Sequence, residues 1–124
     1  NRVPGKPSSE EDAAQMLAAL SGKLHLVYTG VTVAKEGRTL TQHEVTSVRF
    51  RTLTQADIIR YIATGEPMDK AGAYGIQGYG SVLVEGISGD YYNVMGLPVC
   101  RLARMLARFG VDTLALAAEK EQKA

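Results

Sequence analysis

The residues of this sequence whose types and spacing could do chemistry lie mainly in one glycine-rich segment, Glu66 to Pro98. It reads EPMDKAGAYGIQGYGSVLVEGISGDYYNVMGLP and holds seven of the 13 glycines. Glycine lets a backbone or a ligand approach closely, and it adopts backbone angles that other residues avoid. A loop of this kind is typical of a binding site, but ligand-free turns have the same composition. Composition and spacing leave both interpretations open.

Four polar side chains are the candidates for binding. Lys6 lies in Gly-Lys-Pro, where a stiff backbone reduces the entropy that a lysine loses when it holds an anion. Asp69 and Lys70 could orient a metal-bound phosphate, and the carboxamide of Gln77 offers the paired donor and acceptor that suit a nucleobase edge. Each has a structural alternative: a solvent-exposed lysine in a turn, a salt bridge between Asp69 and Lys70, and a glutamine bonded to the loop backbone.

Composition narrows the class of protein. The 124 residues carry 14 basic and 13 acidic side chains, a balance that argues against a nucleic-acid binder, which usually carries a basic stripe. The single cysteine, Cys100, fits a reducing cytoplasm, and we expect it to be a buried helix residue. No apolar run approaches the roughly 18 residues of a membrane span, so we predict no membrane partner.

Several familiar catalytic arrangements are absent from the sequence. It contains no Walker A loop, CxxC pair, HExxH motif or Ser-His-Asp order. His25 and His43 lack a third ligand at metal spacing, so we interpret them as ordinary strand histidines. The arginines at 101, 104 and 108 indicate a solvated helix face rather than a phosphate patch.

Apolar periodicity and end signals predict the elements that position the candidates. Ser8 is predicted to cap a helix that ends at Gly22, and Thr54 a second helix that ends at Gly65. The buried stripe of the second helix is predicted to be Ile58, Tyr61 and Ile62. After Gly65, the Glu66-Pro67 pair predicts an extended exit into the glycine-rich segment. The predicted strands are 24–34 and 39–51, joined by a turn at Glu36-Gly37, then 81–87 and, after a hairpin turn, 91–94. Near the end of the second strand, Val48 and Phe50 face one way and the arginines at 49 and 51 the other.

Two further expectations concern burial and the C-terminal part. Leu24–Ala34 has apolar residues in both alternating sets, so we expect it to be covered on both faces. Pro98 is predicted as the first residue of the last helix, followed by a polar tail that frays. With no repeat and no linker, we interpret residues 1–124 as one domain or part of one.

At E-P-M-D-K-A-G-A-Y-G-I-Q-G, residues 66–78, the sequence resembles the Maf family of nucleoside triphosphate pyrophosphatases, named for septum formation. The likeness continues through G-D-Y-Y-N-V-M-G-L-P at 89–98. It also includes G-K-P at 5–7, M-L-A-A-L-S-G at 16–22 and V-T-S-V-R-F at 45–50. It therefore extends over nearly the whole chain, and its longest motif is far more specific than a lone GxGxxG.

The resemblance implies a fold and a reaction. The fold would be α/β, a mixed twisted β-sheet flanked by helices, similar to inosine triphosphatases. The reaction would be hydrolysis of dTTP, UTP and related nucleotides to monophosphate and pyrophosphate, with Mg²⁺ or Mn²⁺. Lys6 matches a lysine expected at the triphosphate, Gln77 a glutamine linked to base selection in the dTTP/UTP branch, and Asp69 and Lys70 a pair that lines the cleft.

One part of the family pattern has no match in this sequence. The family opens with a phosphate-gripping S-x-S-x-R-R-like loop and carries a G-A-D-T motif whose Asp is taken as the general base. We expect that Asp upstream of Asn1, so we assign no catalytic residue in this chain and expect these residues alone to be inactive. The resemblance also allows a homodimer. The alternative function is a non-catalytic nucleotide-binding or cell-division regulatory module.

Overall fold

The computed structural model describes residues 5–70 and 73–123, and these form the expected α/β fold, with α-helices and a three-stranded antiparallel sheet. The sheet has the order β1-β2-β3. The elements, in chain order, are α1 (Glu10–Leu20), β1 (Leu24–Lys35), β2 (Arg38–Phe50), α2 (Gln55–Ala63), β3 (Val84–Ser88), α3 (Tyr91–Met95), α4 (Val99–Ala107) and α5 (Thr113–Lys123). The 3₁₀ helices Glu66–Asp69 and Tyr79–Leu83 lie between α2 and β3.

The chain divides into two compact units. The first comprises the described residues of Asn1–Leu26 together with Thr46–Gly89, and the second comprises Val27–Val45 with the described residues of Asp90–Ala124. The boundaries between them fall within β1, within β2 and just before α3. No helix in the described part of the chain has the length and apolar character needed to cross a membrane.

The first helix starts one residue later than predicted. Ser9, not Ser8, is the N-cap, and its hydroxyl accepts a hydrogen bond from the Asp12 N–H at 3.0 Å. Ser8 instead donates its backbone N–H to the Asp12 carboxylate at 2.9 Å. Ala13 and Leu17 are fully buried on the inner face of α1, which packs against α2.

The second helix is capped as predicted. The Thr54 hydroxyl accepts from the Asp57 N–H at 3.0 Å, and the Asp57 carboxylate accepts from the Thr54 N–H at 2.9 Å, which completes a capping box. Arg51 adds a charged hydrogen bond to the same carboxylate at 3.1 Å. The predicted stripe of Ile58, Tyr61 and Ile62 is buried.

This capping box makes stability depend on pH in the acid range. Hydrogen bonds from Thr54 and then Arg51 lower the pKa of Asp57 from 3.8 to about 2. Because the folded pKa lies below the unfolded one, the stabilisation is present above about pH 4 and is lost as the pH falls towards 2. We expect the free energy of unfolding of the wild type to exceed that of Asp57→Asn at pH 6 and the two to converge near pH 2. Urea unfolding of both proteins across this range measures the difference; a constant gap would contradict the prediction.

The third strand fixes the edge of the sheet next to the glycine-rich segment. β3 pairs antiparallel with β2, with Val48 opposite Ile87 and Arg49 opposite Gly86. The predicted strand 81–87 is therefore partly wrong, because 81–83 belong to a 3₁₀ helix and the strand runs from Val84 to Ser88. Val48 and Phe50 are buried, as their alternation with the arginines predicts.

The C-terminal part differs most from prediction. The predicted return strand at 91–94 is helix α3, capped by Asp90, whose carboxylate accepts from the Tyr92 N–H at 2.8 Å. Buried Asn93 fixes that helix by donating to the Val27 carbonyl at 3.0 Å. The predicted polar tail is helix α5, where the Asp112 carboxylate accepts from the Ala115 N–H at 3.0 Å.

Three predictions about exposure and helix ends are wrong. β1 alternates between exposed and partly buried residues instead of being covered on both faces, and Tyr28 is 66% exposed. Cys100 is exposed, since it lies in the first turn of α4. Pro98 is the N-cap of α4 and not its first residue, because its ψ of 82° is not helical.

Candidate functional site

All four predicted binding residues lie in the first unit: Lys6, Asp69, Lys70 and Gln77. Lys6 is exposed between Gly5, which has no atom within 4 Å of its would-be Cβ, and Pro7, which is buried. The buried proline anchors the backbone next to Lys6 while the ammonium group stays in solvent. This placement suits a lysine that reaches for an anionic ligand. That Lys6 shares a cleft with Gln77 stays a prediction.

Asp69 and Lys70 lie at the end of the first 3₁₀ helix. The predicted extended exit is wrong: Gly65 adopts a φ of 81°, and its carbonyl accepts from the Met68 N–H at 3.3 Å, so the chain turns at once. Both side chains are exposed. Asp69 and Lys70 form no ion pair with each other in the described part of the chain. Both charges are therefore open to a ligand, unlike in the salt-bridge alternative.

Gln77 occupies the middle of a tight turn. The Gly78 N–H donates to the Gly75 carbonyl at 3.3 Å, and the Gln77 side chain is exposed. Its carboxamide makes no hydrogen bond to another described residue, contrary to the alternative in which it bonds the loop backbone. Its donor and acceptor remain available to the edge of a base.

The carboxylate of Glu66, the first residue of the glycine-rich segment, binds the backbone directly after this turn. One carboxylate oxygen accepts from the Tyr79 N–H at 2.7 Å, and the other accepts from the Gly80 N–H at 3.3 Å. Glu66 and Tyr79 are 13 residues apart. A single side chain thus closes the whole stretch that carries Asp69, Lys70 and Gln77.

The glycine spacing follows from this closure. A Cβ at Gly78 would lie 2.6 Å from the Glu66 carboxylate, and one at Gly75 would overlap it even more closely. A Cβ at Gly80 would lie 2.5 Å from the Gly75 carbonyl oxygen. Real Cβ atoms do not approach other heavy atoms this closely. These glycines therefore serve the packing of the segment on itself, one of the two interpretations that the sequence left open.

Tyr61 of α2 binds the backbone at the start of the same turn. Its hydroxyl accepts from the Gly75 N–H at 2.9 Å. Burial raises the pKa of Tyr61 to about 12, with a further rise from Glu66 and an opposing effect of the Gly75 hydrogen bond. The phenol is therefore neutral at physiological pH and acts as a fixed hydrogen-bonding group.

Tyr74 anchors the segment in the core. Its ring packs edge-on against Phe50 with centroids 4.8 Å apart, and its hydroxyl contacts His25 Nδ1 at 2.8 Å. Burial raises the pKa of Tyr74 to about 12 and lowers that of His25. Next to it, fully buried Ala73 has a φ of 70°, an uncommon value for a residue with a Cβ. Packing thus holds a strained backbone just before the turn.

Sequence reasoning missed Glu66 and Tyr61 as site residues. Glu66 lay in the motif that it had singled out, but the signal was assigned to the proline that follows it. Tyr61 was recognised only as part of a buried helical stripe. The spacing of Gly75, Gly78 and Gly80 did contain a signal for such a residue. Three glycines so close together leave room for a large side chain from elsewhere in the sequence to pack against the backbone.

The second unit contains a cavity of its own. Its volume is about 180 Å³, and it is lined by Arg38, Thr39, Leu40, Arg108 and Phe109. The Arg38 guanidinium lies 4.8 Å from the centre of the Phe109 ring. None of the four predicted binding residues lines it. Arg101, predicted to be solvated, is bound to Glu44 at 2.9 Å and Gln42 at 2.8 Å.

No group of three His, Cys, Asp or Glu side chains that could hold a metal ion occurs within residues 5–70 and 73–123. Both oxygens of Glu66 are occupied by backbone N–H groups, which leaves Asp69 as an exposed carboxylate without a second acidic partner at hand. The described residues therefore do not fit a resident metal ion.

Comparison with known proteins gives concordant matches. The model of the family described as Maf-like protein matches residues 3–109. A dTTP/UTP pyrophosphatase of Bacillus cereus strain B4264 is 53% identical over 112 residues, which are 90% of this chain and 59% of that protein. A dTTP/UTP pyrophosphatase of Bacillus cereus strain AH187 is 54% identical with the same coverage. The chain thus spans less than two thirds of the length of these relatives.

Proposed function

The chain belongs to the Maf-like protein family, and from this premise we propose that the protein is a nucleoside triphosphate pyrophosphatase. Its substrates would be dTTP, UTP and related nucleotides. Hydrolysis would break the phosphoanhydride between the α and β phosphates, with one water molecule consumed and the monophosphate and pyrophosphate released.

One observation carries the proposal. The Gln77 carboxamide is exposed and unbonded to any described residue, on a turn whose backbone is closed by Glu66 and Tyr61. A pyrimidine presents a donor and an acceptor side by side on its edge, which one carboxamide can match with two hydrogen bonds. A turn that is already fixed loses little entropy when the base binds.

The remaining candidates supply positive charge. We propose that Lys6 and Lys70 neutralise phosphate oxygens, whose negative charge would otherwise oppose both binding and bond cleavage. Asp69, beside Lys70, would orient the lysine or contact the hydrated phosphate. No described residue is assigned as the general base.

Because the described residues do not fit a resident metal, we propose that Mg²⁺ or Mn²⁺ arrives bound to the triphosphate. A cytoplasmic location, a homodimer and the absence of a nucleic-acid partner stay predictions.

Release of pyrophosphate tests the proposed function. The full-length protein is incubated with UTP, dTTP or GTP and Mg²⁺ or Mn²⁺, and nucleotide monophosphate and pyrophosphate are measured. We expect equal amounts of both products, with UTP and dTTP preferred to GTP. Binding of UTP by calorimetry without any release would contradict the enzyme and favour a binding module. The absence of both binding and release would refute nucleotide recognition altogether.

A further inference from the structure

We propose that Glu66 is the positioning residue that sets base selectivity, because it fixes the turn on which Gln77 is displayed. This inference rests on the proposed function. Glu66 does not face the nucleotide in this role. Its carboxylate is turned into the segment and accepts from Tyr79 at 2.7 Å and Gly80 at 3.3 Å.

The geometry makes both carboxylate oxygens necessary. Oε2 receives the Tyr79 N–H and Oε1 receives the Gly80 N–H, so each oxygen must be an acceptor. The Gln77 turn lies directly before these two donors in the chain. If either hydrogen bond is lost, the turn can rotate, and the direction of the Gln77 carboxamide is no longer defined.

The surroundings show that the segment is built around this carboxylate. Gly75 and Gly78 both lie so close to it that a Cβ on either would overlap its oxygens. Tyr61 holds the Gly75 N–H, on the other side of Gln77, at 2.9 Å. Backbone on both sides of Gln77 is therefore tied to one glutamate and one tyrosine.

Positioning matters because base recognition by one carboxamide is directional. Two hydrogen bonds to a pyrimidine edge require the side chain to lie within a few tenths of an ångström of its place, and misplacement by about 1 Å costs on the order of a hundredfold in a rate. Phosphate binding by lysines is less directional. A loosened turn should therefore lose discrimination between bases before it loses affinity for triphosphates.

Glu66→Gln is the variant that tests this role. It keeps the size of the side chain, but its amide nitrogen must face one of two N–H donors and cannot accept from it. Glu85→Gln is the matched control, because Glu85 is an exposed glutamate of β3 in the same unit and loses the same charge. Glu66→Asp keeps the charge but shortens the side chain by one methylene.

The first measurement is amide hydrogen exchange of the nucleotide-free protein. In Glu66→Gln, exchange of the Tyr79 and Gly80 amides should accelerate about tenfold, while the Ala13 amide of α1, bonded to the Ser9 carbonyl at 3.0 Å, should be unchanged. Unchanged exchange at Tyr79 and Gly80 would overturn the proposal whatever the nucleotide results. The same comparison in Glu66→Asp keeps the test decisive if Glu66→Gln does not fold.

The second measurement is the ratio of the dissociation constants for GTP and UTP. We expect this ratio to fall about tenfold in Glu66→Gln and Glu66→Asp and to stay at the wild-type value in Glu85→Gln. Fast exchange with an unchanged ratio would reduce Glu66 to a merely structural residue and overturn the inference. A wild-type protein with no preference for UTP would refute the proposed function instead, and the exchange result would still stand.

Discussion

Replacement of Lys6 by alanine in the full-length protein is expected to lower kcat/KM for UTP about a hundredfold. The lysine is exposed beside buried Pro7, so its side chain can be removed without disturbing packing. The ammonium group is proposed to neutralise negative charge on the triphosphate as the α–β bond breaks. Without it, that charge would remain unneutralised and the rate would fall. Turnover at saturating and limiting UTP, each at two salt concentrations, separates binding from catalysis.

Lys23→Ala is the matched control for Lys6→Ala. Lys23 is an exposed lysine of the same unit, and the interactions described for it are through its backbone: its N–H donates to the Leu20 carbonyl at 3.0 Å, and its carbonyl accepts from the Phe50 N–H at 3.0 Å. The substitution leaves that carbonyl in place, so kcat/KM should stay within about twofold of the wild type. Equal activities of Lys6→Ala and Lys23→Ala would remove Lys6 from the site.

Replacement of Gly80 by alanine is expected to destabilise the protein by about 1–3 kcal/mol and to weaken UTP binding at least tenfold. The added Cβ would lie 2.5 Å from the Gly75 carbonyl oxygen and 2.8 Å from the Tyr61 hydroxyl. Because one of these atoms belongs to the backbone, the turn itself must move, and Gln77 moves with it. Urea unfolding measures the first effect and calorimetry with UTP the second.

Gly86→Ala separates the overlap at Gly80 from a general effect of glycine replacement. Gly86 lies in β3 opposite Arg49, and no atom lies within 4 Å of its would-be Cβ. This variant should be as stable as the wild type or gain up to about 1 kcal/mol, because alanine restricts the unfolded chain. Equal losses in Gly80→Ala and Gly86→Ala would show that the close approach to Gly75 has no consequence.

The parts of the fold that follow from local chemistry were predicted well. Thr54 caps the start of α2 as predicted, and Glu36-Gly37 lies between β1 and β2, where the turn was predicted. The alternation of Val48 and Phe50 with arginines placed the right residues in the core. In each case a short stretch of sequence contains all of the determining interactions.

The errors occurred where distant residues decide. Tyr91–Met95 has the composition of a strand, but Asp90 caps it and buried Asn93 donates to Val27, 66 residues away. Glu66 likewise bonds residues 13 and 14 positions further on. Such pairings leave little trace in a single sequence, so the candidate side chains could be named from their motif, while the residues that position them could not.

The central claim is that the segment from Glu66 to Gly80, with Lys6, forms the nucleotide site. Titration of ¹⁵N-labelled protein with UTP tests it most directly, because each amide signal reports on its own surroundings. We expect the largest shift changes at Lys6, Lys70 and Gln77, with smaller ones at Tyr79 and Gly80. Shift changes concentrated instead at Arg38, Thr39 and Arg108, around the cavity of the second unit, would contradict the account.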